Sequence, residues 1–196
     1  MTSTETGVRE AEVGELAQVS ATLADALAAD PIYGWLLPDE RRLRRLFAVE
    51  LEYYVFPGGR VVTTDDFRGA NLELPPGGWE MAVPLPGAVA LLRVFGRRLR
   101  RASTLQKFFE RNHLQEPHYY VRTLGVARRY QGRGVGTALL RRTLDRCDEE
   151  GMPAYLEAST QRSAALYERL GFVHLGELRV PDGPPFWPMR RPPVAA

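Results

Sequence analysis

Three glycines within residues 128–137 are the residues whose type and spacing most directly suggest chemistry. The segment reads Arg128-Arg129-Tyr130-Gln131-Gly132-Arg133-Gly134-Val135-Gly136-Thr137. It lies between a β-rich run and a segment with helical periodicity. Free N–H groups at the start of a helix attract an anion, and glycines let the backbone approach it closely. The segment therefore predicts a phosphate-binding turn, to which its three arginines add positive charge.

Two common nucleotide-binding motifs do not fit this spacing. A Walker A loop ends in Gly-Lys followed by Ser or Thr, whereas Gly136 is followed directly by Thr137. A Rossmann turn would need glycine at position 137, and its strand would open a βαβ array instead of lying deep in the chain. A different phosphate ligand is therefore expected.

Metal and cysteine chemistry find no support in the sequence. The three histidines, His113, His118 and His174, show no metal-ligand spacing. The single cysteine, Cys147, excludes an intramolecular disulfide and a Cys-based zinc site. We expect no metal.

The pattern that fits is Gln131-x-x-Gly134-x-Gly136. It resembles the acyl-CoA pyrophosphate loop, Q/R-x-x-G-x-G/A, of the GNAT acetyltransferase superfamily. Three further blocks share the family's order and spacing: Leu124-Gly125-Val126, Pro153-Ala154-Tyr155-Leu156-Glu157 and Leu166-Tyr167-Glu168-Arg169-Leu170-Gly171-Phe172. Residues 181–189 look like a branch that includes puromycin N-acetyltransferase. The resemblance is clear over residues 115–192 and implies an α/β (α+β) GNAT fold, a mixed and centrally splayed β-sheet flanked by helices.

The resemblance implies acetyl-CoA as the cofactor. In the family, the strand before the loop pairs with the pantetheine arm, and we assign to Val126 the amide that polarises the thioester carbonyl. The cofactor-binding residues carried over are Leu124, Gly125, Val126, Gln131, Gly132, Arg133, Gly134, Val135, Gly136, Thr137 and Ser163. Ser163 stands where the branch often has asparagine, which leaves its contact with coenzyme A open.

Two residues are predicted to be catalytic. Tyr167 matches the tyrosine that often protonates the departing thiolate in this family, and the alternative is packing of its ring with Leu166 and Leu170. Glu157 ends the strand after the loop helix and is the candidate base for the amine proton. A substrate-ligand or structural role for Glu157 is the alternative.

The acceptor side must come mainly from the first half of the chain. Asp25, Asp30, Tyr33 and Trp35 lie at the end of the first predicted helix and in the connection after it. A carboxylate with aromatic rings suits a cationic amine, although a solvated Asp-Pro turn with aromatic core packing explains them equally. We predict acetyl transfer to the primary amine of a small molecule, by direct attack in a ternary complex.

Hydrophobic periodicity predicts the elements that must position these residues. Helices are expected at 15–29, 40–54, 87–95, 136–150 and 163–170. Strands are expected at 8–13, 60–64, 70–74, 118–126, 153–158 and 172–180. The pattern between 79 and 117 is ambiguous, and 87–95 also fits a buried strand. We predict one domain over 1–196, with an acceptor-side half at 1–114 and an acyl-CoA-binding half at 115–192.

Composition narrows the class of protein. The 196 residues are 44% hydrophobic and 26% charged, which argues against disorder, coiled coil and collagen. No apolar run is long enough to span a bilayer, and the polar start does not look like a signal peptide. We therefore expect a cytoplasmic monomer or homodimer without membrane contact.

Two alternative functions stay open at this point. Of the 26 basic residues, Lys107 is the only lysine, and arginines cluster at 41–45 and 97–101. These clusters suggest an RNA- or nucleic-acid-associated acyltransferase, but the 24 acidic residues make nucleic acid an improbable partner. The second alternative is a module that binds acyl-CoA without turnover.

Overall fold

A mixed β-sheet of eight strands runs through the computed structural model, which describes residues 7–194. The strands are β1 (Val8–Glu10), β2 (Arg60–Thr64), β3 (Gly69–Leu74), β4 (Tyr119–Val126), β5 (Ala154–Ala158), β6 (Val173–His174), β7 (Leu178–Arg179) and β8 (Pro185–Arg191). Their order is β1-β2-β3-β4-β5-β8-β6, and β7 also pairs with β8. Only the β4–β5 pair is parallel among these pairings. Residues 1–6 and 195–196 of the predicted domain lie outside the described residues.

Helices cover both faces of the sheet. They are α1 (Leu16–Leu27), α2 (Pro31–Leu36), α3 (Glu40–Glu50), α4 (Phe56–Gly58), α5 (Leu85–Phe95), α6 (Leu99–Asn112), α7 (Val135–Glu149) and α8 (Gln161–Glu168). One apolar cluster joins α1–α3, α5 and α6 to one face, and a second joins α7 and α8 to the other. We call these the α1 face and the α7 face. The predicted mixed α/β class, with a sheet flanked by helices, is confirmed.

The centre of the sheet is distorted at Arg122. Thr123 pairs with Leu72 of β3, but the next β3 residue, Glu73, pairs with Val121, so Arg122 is an extra residue in β4. Such a bulge bends its strand and increases the local twist. The β4–β5 ladder contains only the pairs Tyr119–Ala154 and Tyr120–Tyr155, which precede the bulge, and no pair among the described residues follows it. The two strands therefore diverge and leave a gap between their carboxyl-terminal halves.

The sequence analysis did not predict α2, although a helix start signal precedes it. Asp30-Pro31 ends the predicted first helix, yet it also begins α2. The Asp30 carboxylate accepts the N–H groups of Ile32 and Tyr33 at 2.9 and 3.2 Å. Proline is favoured at the first helical position because its N–H would have no helical partner there.

Several predicted boundaries are wrong. The first strand ends at Glu10, and a 3₁₀ turn follows at Val13–Glu15. The helix predicted at 40–54 changes at Leu51–Val55 into a π-helical turn. The strand predicted at 172–180 is instead two short strands, and the long partner of β5 is β8. Pro185 and Pro188 conceal β8 in the sequence, because proline seldom lies inside a sheet.

The ambiguous segment resolves into two helices. α5 confirms the helix at 87–95, starting slightly earlier. α6 was not predicted, although Leu105, Phe108 and Phe109 have helical spacing and pack into the core of the α1 face. The run of arginines ahead of them hid that signal.

Candidate active site

The carboxyl-terminal half of β4 presents backbone groups to the gap. The N–H of Ala127 donates to the carbonyl of Arg68 at 2.9 Å. Gly69 and Val126 are therefore a non-hydrogen-bonded antiparallel pair, whose peptide groups point away from each other. The N–H and C=O of Val126 face the gap, as do those of Leu124, two residues earlier. The bulge at Arg122 is what brings the peptides at 124 and 126 to this edge.

The glycine segment follows β4 and leads into α7. Gly132 and Gly134 have φ angles of 74° and 82°, a left-handed conformation that favours glycine. The N–H of Ala138 is bonded to the carbonyl of Gly134 at 3.0 Å, so the N–H groups of residues 135–137 precede the helical ladder. A methyl group on Gly136 would point toward Val126 on β4 and Leu166 on α8. The start of α7, the end of β4 and α8 therefore meet at the open end of the gap.

Positive charge surrounds this turn. Arg129 and Arg133 are exposed, and their guanidinium groups lie 4.8 and 6.0 Å from the centre of the Tyr130 ring. Arg128 is held differently, since its backbone N–H and Nε both donate at 2.8 Å to the carboxylate of Asp25 on α1. Asp25 thus anchors the turn that leads into the glycine segment.

Asp30 is bonded to the residue that follows β5, and its charge acts on Tyr167 of α8. Asp30 accepts a hydrogen bond from Ser159, the residue after β5. Tyr167 is 8% exposed and packs against Phe172. Burial raises the pKa of the Tyr167 hydroxyl, and the charge of Asp30 raises it further. Burial also raises the pKa of Asp30, against the hydrogen bonds it accepts.

Glu157 projects from β5 toward the α1 face, and its side chain is 7% exposed. Its Oε2 accepts the hydroxyl of Tyr120 at 2.8 Å. Its Oε1 has no hydrogen-bond partner among the described residues, and the nearest basic group is Nδ1 of His113 at 3.5 Å. One oxygen of this buried carboxylate is therefore free to accept a proton.

A second, partly buried carboxylate lies on the same face. Glu50 on α3 accepts the guanidinium of Arg122 at 2.9 Å. That guanidinium lies 4.9 Å from the ring centre of Tyr54. Tyr33 is close by, with its hydroxyl 3.3 Å from Oγ1 of Thr123. The extra residue of the β4 bulge thus carries the positive charge of this cluster.

Comparisons with known proteins agree with this geometry. The sequence model of the Acetyltransferase (GNAT) family matches residues 101–172. An uncharacterized N-acetyltransferase of Schizosaccharomyces pombe is 28% identical, over 85% of this chain and 74% of its own length. A crystal structure from Corynebacterium glutamicum, described as histone acetyltransferase HPA2 and related acetyltransferase, is 29% identical. It covers 97% of this chain and 98% of its own, with a TM-score of 0.77.

The chain belongs to the GNAT acetyltransferase superfamily. It is a GNAT-type N-acetyltransferase, as the sequence resemblance predicted. Arylalkylamine N-acetyltransferase 2 of Aedes aegypti shares the fold at 14% identity and a TM-score of 0.59, covering 96% of this chain and 99% of its own. The suggested puromycin branch stays a prediction.

The predicted GNAT site residues lie in different parts of the structure. Leu124, Val126 and Gly136 lie together at the open end of the gap, and Tyr167 lies in the apolar cluster of the α7 face. Ser163 lies on α8, where its hydroxyl and that of Thr160 cap the helix reciprocally. The predicted acceptor residues are divided: Asp30 and Tyr33 lie near the gap, and two others have partners elsewhere. Asp25 binds Arg128, and the indole N–H of Trp35 donates to the carbonyl of Asp182 at 2.7 Å.

Sequence reasoning missed much of the buried polar cluster on the α1 face. The members that were not predicted to take part in the site are Glu50, His113, His118 and Arg122. They come from α3, from β4 and from the connection between α6 and β4, so no contiguous motif contains them. One signal was available in the sequence, since Arg122 is the single charged residue within β4.

The described residues also bear on cysteine reactivity, metal binding and membrane spanning. Cys147 is fully buried on α7, and burial raises the pKa of its thiol to about 12. Within residues 7–194, no group of three or more His, Cys, Asp or Glu side chains is arranged to hold a metal ion. None of the helices in that range is both long enough and apolar enough to cross a membrane.

Proposed function

We propose that this enzyme transfers the acetyl group of acetyl-CoA to the primary amine of a small molecule, by direct attack in a ternary complex. The observation that carries the proposal is the gap between β4 and β5. Backbone donors of β4 line one wall, and a buried carboxylate with an unpartnered oxygen stands on the other. A nucleophile and an acyl donor can meet there without a covalent enzyme intermediate.

The residues of the α7 face fit acetyl-CoA. The N–H groups of residues 135–137 and the positive end of the helix dipole favour a pyrophosphate, and Gly132 and Gly134 leave the approach free of side chains. Arg129 and Arg133 add positive charge. The remaining proposed contacts are those of Leu124, Gly125, Gln131, Val135, Thr137 and Ser163. Gly125 also has a packing role, since a methyl group there would lie 2.9 Å from Leu23 on α1.

Acetyl-CoA supplies a thioester, an acyl group on a good leaving thiol. The Val126 N–H points into the gap, where it can donate to an oxygen that gains negative charge. Donors of this kind typically contribute about 10²–10³-fold in rate. Tyr167 keeps its proton because burial raises its pKa, and we assign to it protonation of the leaving sulfur.

Glu157 is the proposed base. An alkylammonium must lose a proton before its nitrogen can attack, and Oε1 of Glu157 has a free lone pair for it. Its other oxygen is fixed by Tyr120, which holds the carboxylate in one orientation. Asp30 and Tyr33 are proposed to border the acceptor, whereas Asp25 and Trp35 contribute by holding the loops around it.

These assignments give the two halves of the chain different roles. We propose one domain over 1–196, in which residues 115–192 hold acetyl-CoA and residues 1–114 shape the acceptor pocket. β5 contributes to both sides, because Glu157 reaches the α1 face while Leu156 and Ala158 pack on the α7 face.

An acetyl-CoA turnover screen tests the proposal. The panel contains puromycin, tryptamine, spermidine, glycine and a peptide with a free N-terminal alanine; tryptamine represents the arylalkylamines named for the Aedes relative. We expect turnover of at least one small amine, well above the peptide. Turnover of the peptide alone would contradict the small-molecule acceptor. Tight coenzyme A binding without any turnover would favour a non-catalytic acyl-CoA-binding module.

A further inference from the structure

Two buried histidines extend the Glu157 carboxylate into a chain of polar contacts. Nδ1 of His113 lies 3.5 Å from Oε1 of Glu157, within ion-pair distance but without a hydrogen bond in the structure. Nε2 of His113 lies 3.1 Å from Nε2 of His118. Nδ1 of His118 lies 2.7 Å from the backbone carbonyl of Glu116. His113 is 6% exposed and His118 is 1% exposed, so both rings are buried.

The donors and acceptors in this chain can be counted. A carbonyl oxygen can only accept, so Nδ1 of His118 carries a hydrogen. If His118 is neutral, its Nε2 is bare and Nε2 of His113 must carry a hydrogen. A neutral His113 then turns a bare Nδ1 toward Glu157. With Glu157 ionised, two lone pairs would face each other across this contact.

The other neutral tautomer of His113 moves the conflict without removing it. With its hydrogen on Nδ1, His113 donates to Glu157, but the two bare Nε2 atoms then face each other. One additional proton resolves the conflict. That proton can be placed on Glu157, on His113 or on His118, and in each position every contact has one hydrogen. Transfer along the existing contacts converts one arrangement into the next.

The surroundings favour sharing of this proton. Tyr120 of β4 and Tyr155 of β5 pack edge-on against His113, and the ring centres of Trp79 and His113 lie 4.2 Å apart. Burial lowers the pKa of His118, and the charge of His113 does so too, whereas the Glu116 carbonyl, Glu157 and the Glu116 side chain oppose this. Arg190 of β8 pairs with the Glu116 side chain, and Arg122 of β4 pairs with Glu50 of α3. A proton shared among neighbouring groups is bound by the whole set and not by one member.

The chain reaches a route to solvent at His113. A groove of about 490 Å³ opens next to His113. Its lining includes Asn112, Glu116, Tyr155, Leu178 and Pro188. The groove is bordered by the turn after α6 and by β8, away from the glycine segment at the start of α7.

We propose that Glu157, His113 and His118 form a proton relay that takes up the acceptor's proton and delivers it to this groove. The inference rests on the proposed function and deepens it. In the reaction, a C–N bond forms as the C–S bond breaks, and the ammonium loses two protons. One passes through Glu157 and the histidines to solvent, and the other replaces the proton that Tyr167 gives to the thiolate. Uptake of the first proton removes the conflict between lone pairs.

The first test compares pH–rate profiles of kcat/KM for wild type, His113→Gln and His118→Gln. The probe is whichever of puromycin, tryptamine and spermidine is turned over fastest. Glutamine keeps a polar side chain but cannot carry the shared proton. Because the proton can then no longer be shared among the three groups, we expect the acidic limb to move by at least about one pH unit and the plateau to fall about tenfold or more.

His174→Gln is the matched control, because His174 also contacts a glutamate, Glu168 at 2.7 Å, but lies on the surface. Its profile should match wild type. A purely structural role for the buried pair would lower the rate without moving the limb. An unshifted limb in folded His113→Gln and His118→Gln would therefore overturn the relay.

The second test needs neither activity nor the histidine variants to fold. In ¹⁵N-histidine-labelled enzyme, the relay requires hydrogen on Nδ1 of His118 and joint titration of His113 and His118. Glu157→Gln should change that titration while leaving His174 unaffected. Hydrogen on Nε2 of neutral His118 with a bare Nδ1, or independent titrations that Glu157→Gln leaves unchanged, would overturn the proposal. An enzyme inactive on the whole panel but with the coupled titration would lose the proposed function and retain the shared proton.

Discussion

The α7 face and the α1 face of the sheet differ in the groups that they present to the gap. On the α7 face, the groups that fit acetyl-CoA are mostly backbone N–H groups, supplied by the end of β4 and by one contiguous turn. On the α1 face, the reactive groups are side chains, and they come from separate parts of the chain. An acyl donor shared by many enzymes can be held by a backbone pattern, whereas an individual acceptor needs individual side chains. Changes on the two faces should therefore have separable kinetic effects.

The largest effect is expected at Glu157. Glu157→Gln removes the base on the α1 face, and kcat/KM for the amine should fall by about 10²–10⁴-fold, the range typical of general base catalysis. Acetyl-CoA affinity should stay close to wild type. Glu149→Gln, a change to an exposed carboxylate on α7, is the control and should have normal kinetics. A wild-type kcat/KM in the Glu157→Gln enzyme would contradict the assignment of Glu157 as the base.

Substitution of Tyr167 should give the next largest effect, and this effect should appear in kcat. Tyr167→Phe is expected to lower kcat by about 10²-fold, because it removes the proton donor to the thiolate, with the acetyl-CoA dissociation constant nearly unchanged. Burial raises the Tyr167 pKa above its ordinary value of 10.0, so the protonated donor persists in alkaline solution. Wild-type kcat should therefore show no loss of this acid below about pH 10. Near-normal turnover by Tyr167→Phe would assign the ring to packing.

Gly134→Ala tests the backbone cradle. The φ of 82° at Gly134 should cost alanine about 1–2 kcal/mol, and the distorted turn should raise the KM for acetyl-CoA about tenfold. Gly151→Ala is a matched control, since Gly151 follows the other end of α7 with a φ of 65°. Both variants should lose similar stability on thermal unfolding. Equal KM values in the two variants would show that the turn does not hold the cofactor.

The smallest effect is expected from the arginines beside the turn. Arg129→Gln and Arg133→Gln should each weaken acetyl-CoA binding several-fold at low salt, with a smaller difference at high salt because exposed charges are screened. Arg141→Gln, on the exposed side of α7, serves as the control. Titration calorimetry at two ionic strengths measures the difference. Salt-independent losses would indicate that these side chains act on the shape of the turn.

The same contrast explains what the sequence could and could not predict. The turn at 131–136 is one contiguous segment, and the spacing of its glycines identifies it. Its place between a strand and α7 was therefore predictable. Glu157 and Tyr167 were found through the family resemblance. The partners of Glu157 were not, because His113 and His118 meet it only after α6 and β4 have packed against β5. The Arg122 bulge, which orients the β4 peptides, has no specific sequence signal.

The central claim is direct attack in a ternary complex that spans both faces of the gap. The buried Cys147 thiol, with a pKa raised to about 12, is unsuited to carry the acetyl group between the two substrates. The most direct measurement is an initial-rate study that varies acetyl-CoA and the amine together. The account predicts intersecting double-reciprocal lines and no acetylated enzyme in the absence of amine. Parallel lines with an acetyl-enzyme that transfers its group to the amine would contradict it.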